Sequence, residues 1–130
     1  MEHVVQIMQW LGQIHPLGEE AKYALEGVCS TTAVKKGSNL QPIGFTCRTI
    51  YIVAQGLARI FYYKDGIDVT ESFALEQQVI VRVESLFTGR PSRKGIQAVE
   101  NTIFVAIDAA ALFRLYDVYP AIERLFRKIF

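Results

Sequence analysis

The chain has 130 residues, of which 51% are hydrophobic and 21% charged, and fourteen basic against thirteen acidic side chains leave a net charge of +1. That length predicts one domain, 1–130, with a core of its own, and the near-neutral balance argues against a protein built to grip nucleic acid over a wide surface. The apolar runs around 50–54 and 103–107 are too short to cross a bilayer, no secretory signal pattern opens the chain, and Cys29 and Cys47 read as free thiols of a cytoplasmic protein.

Residues 1–29 read as helical. Val4, Ile7, Met8, Leu11 and Ile14 fall at the three-four spacing of one buried face. His15-Pro16 ends that run, because proline disfavours helical geometry in the residue before it. A second helix starts near Gly18, with Glu19 and Glu20 complementing its positive end and Ala21, Ala24, Leu25 and Val28 as its apolar face.

From 30 to 107 the pattern changes to strands. TTAVKKG, TIYIVAQG, LARIFYYKDG, DVTESFAL, GIQAVE and TIFVAI are short runs rich in β-branched and aromatic residues, punctuated by Gly37, Gly44, Gly56, Gly66 and Gly95. Asp65-Gly66 predicts a tight hairpin turn. Many short strands without long helices between them predict an antiparallel sandwich or barrel. Residues 108–130 return to helix. Asp108 is the expected N-cap, Leu112, Leu115, Tyr116 and Tyr119 share a face, and Pro120 suits the first turn of a last helix. There Ile122, Leu125, Phe126 and Ile129 form a stripe opposite Glu123, Arg124, Arg127 and Lys128. That amphipathic helix predicts a weak homodimer through Leu125, Phe126, Ile129 and Phe130.

Metal chemistry finds little support. His3 and His15 are the only histidines, and with Cys29 and Cys47 they show none of the short paired spacings of a zinc site. No serine elbow, phosphate loop or dinucleotide-binding glycine pattern is present, which predicts a protein that is not an enzyme. The segment VIVRVESLFTGRPSRKGIQAVE, read as a long loop between strands, gathers Arg82, Arg90, Arg93 and Lys94 beside Glu84, Ser85 and Ser92. Cations and hydroxyls at a short helix start suit an anion, and an ordinary solvated charged loop is the alternative. Phe61, Tyr62 and Tyr63 alternate along a strand and therefore cannot form one stacking platform.

Taken from PLGEEAKYAL through VKKGSNL and IYIVAQGLARIFYYKDGIDVTESFA to ESLFTGRPS, the chain resembles the cyclic nucleotide-binding domain of Crp/Fnr-type bacterial regulators. The resemblance implies a mainly β fold with flanking helices, an antiparallel double-stranded β-helix of jelly-roll type. It also implies a ligand-sensing regulatory role, with a phosphate-binding cassette at Val81, Arg82, Val83, Glu84, Ser85, Ser92 and Arg93. The family's cassette has a glycine-glutamate pair, whose glutamate accepts from the ribose hydroxyl, and a later arginine on the cyclic phosphate. Here Val81, Arg82 and Ser92 stand at those positions. Arg82 cannot accept from a hydroxyl and Ser92 carries no charge, so the expected ligand is a cyclic nucleotide held weakly or another small anion. The alternative is an interaction module that has lost its ligand. Family members continue into a long dimerisation helix and a helix-turn-helix. This chain stops at Phe130, which predicts a free-standing domain that does not itself bind nucleic acid or membrane.

Overall fold

Two strands that are apolar on both faces organise the molecule. In the computed structural model, which describes residues 2–130, β3 (Thr49–Gln55) and β8 (Thr102–Asp108) pair antiparallel. Ile50, Ile52 and Ala54 of β3, with Val105 and Ile107 of β8, face a helical layer, whereas Val53 and Phe104 face the interior of a roll. Burial on both sides is why TIYIVAQ and TIFVAI run apolar without clean alternation.

Around this pair the chain forms two four-stranded antiparallel sheets. The first has β1 (Cys29–Val34), β8, β3 and β6 (Val79–Ile80) in that order. The second has β2 (Asn39–Gln41), β7 (Gly95–Ala98), β4 (Ala58–Lys64) and β5 (Ile67–Ala74). Val53, Ala58, Ile60, Ala74, Ile80, Ile96 and Phe104 fill the space between them. The β4–β5 hairpin turns at Asp65 and Gly66, both at positive φ, as its turn chemistry requires.

Helices α1 (Glu2–Ile14) and α2 (Glu19–Glu26) precede the sheets, and α4 (Ala109–Val118) and α5 (Pro120–Ile129) follow them. On the outer side of the first sheet α1 and α4 pack against the strands and α2 and α5 against those helices, one cluster joining Val4, Ile7, Leu11, Leu25, Leu112 and Ile122. Asp108 caps α4 by accepting the Ala111 amide at 2.9 Å, and Pro120 opens α5. Among the described residues no helix is long and apolar enough to cross a membrane.

Three expectations need correction. First, β2 and β6 are strands the sequence pattern does not reveal, because at three and two residues they are too short to show a period. Second, the cassette segment is not simply a loop: Val79–Ile80 pairs with β3, and Val83–Thr88 forms a helix, α3. Gly89, at φ 73, ends that helix with its amide on the Ser85 carbonyl at 2.9 Å. Third, Leu125 and Phe126 are fully buried against this chain's own sheet and helices, so neither offers surface to a second copy. Ile129 is half-buried, and of the four residues assigned to an interface only Phe130 is exposed.

Candidate functional site

The β6–β7 connection is built on backbone anchors. Ser85, on α3, is 2% exposed. Its hydroxyl accepts from the Cys47 amide and donates to the Arg90 carbonyl, both at 2.7 Å. Ser92 is also buried, and its hydroxyl donates to the Lys94 carbonyl at 2.7 Å. Residues 44–46 brace the same stretch: the Gly44 amide donates to the Ser92 carbonyl, the Ser92 amide to the Phe45 carbonyl, and Thr46 Oγ1 to the Gly89 carbonyl. At the exit, Gly95 lies under the Phe61 ring, where a Cβ would come within 2.7 Å of the ring and 3.0 Å of the Gln41 carbonyl. The backbone can enter β7 there only without a side chain.

These anchors separate residues that hold the cassette from residues whose polar groups are left to face a cavity. Arg82, Val83, Glu84, Ser85, Ser92 and Arg93 line one cavity of about 300 Å³, together with Lys94. Val81 lines instead the neighbouring cavity of about 600 Å³, which Arg82 shares. The hydroxyls of Ser85 and Ser92 are spent inside the protein, so the polar groups left to meet a ligand are Arg82, Glu84, Arg93 and Lys94. Arg82 donates only a long bond, 3.3 Å, to the Val81 carbonyl, and neither Arg82 nor Arg93 makes an ion pair among the described residues. Arg59 shows the contrast. It forms a two-pronged contact with Asp68 at 2.7 Å, bonds Thr70 and Gln97, and lies 4.5 Å over the Phe61 ring. The Arg59 hydrogen bond holds the Asp68 carboxyl below its ordinary value, and Arg59 is a satisfied structural cation.

Sequence reasoning missed the far walls of the larger cavity. Trp10 and Ile14 of α1, Glu71 of β5, and Lys128 and Ile129 of α5 complete it. Glu71 sits at a β-bulge: Ile60 pairs with Ser72 and Phe61 with Thr70, leaving Glu71 without a partner residue. Bulges re-aim side chains, and Glu71 forms an ion pair with Lys94. Strand alternation carries no signal for such a residue. Lys128 Nζ lies 2.9 Å from His15 Nδ1, and desolvation, then Lys128 and Arg124, push His15 below its ordinary pKa.

Among the described residues no three histidine, cysteine, aspartate or glutamate side chains are placed to share a metal ion. Both cysteines are free. Burial pushes the Cys29 thiol up to about 12, with Glu26 adding to it, and burial also raises Cys47. Thiolate is the reactive form, so both are expected to react slowly with a disulfide reagent at pH 8 and rapidly after unfolding. Because the folded thiol titrates above its ordinary 9.0, the stability it confers is complete below that pH. It is lost as pH rises towards about 12. Urea midpoints across this range should fall less in Cys29→Ala than in the native chain, and equal slopes would contradict the assignment.

No protein-family model and no curated protein matches the sequence. Solved structures do match. The fold is similar to the catabolite activator protein of Thermus thermophilus, with TM-score 0.72 and 21% identity over 90% of this chain and 54% of that one. It is similar to a cyclic nucleotide-binding domain from Methylobacillus flagellatus, with TM-score 0.77 and 16% identity over 98% of this chain and 71% of that one. The sensor domain of the transcriptional regulator DNR from Pseudomonas aeruginosa gives TM-score 0.73 and 15% identity, covering 92% and 86% of the two chains. The chain therefore spans about half the length of the Thermus activator, and its fold is that of Crp/Fnr-type cyclic nucleotide-binding domains.

Proposed function

We propose that this chain is a ligand-sensing regulatory domain of the cytoplasm that takes up a small anion at the α3 cassette without transforming it. The observation that carries this reading is the pair of uncommitted guanidinium groups, Arg82 and Arg93, on a cavity of about 300 Å³. Guanidinium is a fork of donors suited to phosphate or carboxylate oxygens. The same chemistry disfavours an ordinary cyclic nucleotide. Arg82 stands where the resemblance places a hydroxyl-accepting carboxylate, and the Ser92 hydroxyl is already bonded to Lys94.

Thermal unfolding with added pyrophosphate tests the reading. At 100 times its dissociation constant a ligand stabilises by about 2.7 kcal/mol, a rise of roughly 10 °C in the midpoint for a domain of this size. That rise is expected for pyrophosphate and absent in Arg82→Ala, with cyclic AMP and cyclic GMP giving little shift. Strong stabilisation by cyclic AMP would overturn the cassette assignment.

A second reading, a module that pairs two copies of this chain without ligand, is favoured by one feature. Phe87 and Phe130 are 68% and 58% exposed and flank a groove of about 330 Å³ with Phe113 and Tyr116. It predicts no pyrophosphate effect and a concentration-dependent mass in light scattering.

A further inference from the structure

Beside the cassette lies the Glu71–Lys94 ion pair. Glu71 lines the cavity of about 600 Å³, and Lys94 lines the cassette cavity of about 300 Å³. Both line a third hollow with Tyr62 and Arg93. The pair therefore sits where the three spaces meet. Lys94 Nζ is 5.8 Å from the centre of the Tyr62 ring, which leaves its charge directed between the ring and the carboxylate. On β5 the bulge takes Glu71 out of the ladder register, and its carboxylate meets Lys94.

We propose that Glu71 is a tethered competitor of the anion: in the unliganded domain its carboxylate occupies Lys94, and the ligand's anionic group replaces it there. The inference rests on the anion-site reading and deepens it by naming the residue that sets the affinity. The geometry supports it in three ways. A carboxylate presents the same oxygen chemistry to an ammonium group as a phosphate or carboxylate ligand does. Both side chains are over a third exposed, at 38% for Lys94 and 37% for Glu71, so exchange needs no unfolding of the core. Glu71 accepts no other hydrogen bond among the described residues, which leaves its side chain free to swing away once displaced.

The exchange also constrains the ligand. A monovalent anion would merely replace one negative charge by another at Lys94. Net gain requires a group that reaches Arg82 or Arg93 at the same time, hence a ligand with at least two anionic oxygens spread over the junction. This is the class to which pyrophosphate and phosphate esters with a second charge belong, and it separates them from chloride or acetate.

Calorimetric titration of the full chain with pyrophosphate provides the test. An exposed ion pair is worth little, so Glu71→Gln is expected to bind pyrophosphate about three- to fivefold more tightly than the native chain. Adding Lys94→Met to Glu71→Gln is expected to cancel that gain, since the freed ammonium is its source. Glu100→Gln removes the same charge from an exposed turn outside the three cavities and is expected to leave the affinity unchanged. Equal binding by native and Glu71→Gln proteins, each weakened by Arg82→Ala, would overturn the competitor while leaving the anion site standing. So would a gain that survives Lys94→Met or appears equally in Glu100→Gln. Absence of binding to both native and Glu71→Gln proteins would overturn the anion site itself.

Discussion

Replacing Phe126 by alanine is expected to lower the unfolding free energy by about 3–5 kcal/mol, the usual cost of emptying a fully buried aromatic site. Phe126 is 0% exposed and belongs to the cluster that joins α1, α2, α4 and α5 to the first sheet. Phe126→Glu adds the desolvation of a charge and is expected to leave an unfolded or aggregated chain. Phe130, 58% exposed with its ring 5.8 Å from that of Phe126, should cost below about 1 kcal/mol as Phe130→Ser. Urea unfolding of the alanine and serine variants measures both values. The comparison also separates two roles that the stripe on α5 could play. If its centre formed a dimer contact, Phe126→Glu would remain folded and only change its mass in light scattering. Burial predicts the opposite, and of the stripe it leaves only Ile129 and Phe130, beside the exposed Phe87, for a contact through α5.

Why the stripe read as a surface is a matter of what periodicity encodes. An apolar face at three-four spacing shows that a helix is covered, not by what. The cover here is the chain's own helices α4, α1 and α2, which share one buried cluster with Ile50, Ile52 and Ile107 of the sheet. Features whose cause is local were legible: the Asp108 cap, Pro120 at the start of α5, and the hairpin at Asp65 and Gly66 each depend on a few adjacent residues. Features that exist only through partners were not. β6 is two residues held by register with Tyr51 and Ile52, and Glu71, which pairs with Lys94, sits where the β4–β5 ladder slips by one residue. The cassette shows both cases in one segment. Arg82 and Arg93 were visible as cations and do line one cavity, whereas Ser85 and Ser92, alike on paper as ligand hydroxyls, are consumed by backbone groups.

That consumption gives Ser85→Ala a large expected effect for the loss of one oxygen, about 2–4 kcal/mol, measured by urea unfolding. The hydroxyl bridges the Cys47 amide, in a residue 2% exposed, and the Arg90 carbonyl. Removing it leaves a buried donor without its partner, at about 1–3 kcal/mol, and strands a carbonyl as well. Ser92→Ala is expected to cost less, about 1 kcal/mol, because its hydroxyl bonds only to the backbone of Lys94, two residues away. The Ser85 bridge, by contrast, ties α3 to a segment 38 residues earlier in the chain. Hydrogen exchange adds the local readout: the Cys47 amide should lose protection in Ser85→Ala while amides of β3 and β8 keep theirs relative to global stability. A ligand hydroxyl would behave differently, leaving unfolding unchanged and weakening pyrophosphate binding alone. Stability that stays within about 0.5 kcal/mol of the native chain would therefore return Ser85 to the ligand side of the cassette. The expected loss instead makes it the pin that ties α3, which Arg82 opens, to the Arg90 backbone at the rim of the cassette cavity.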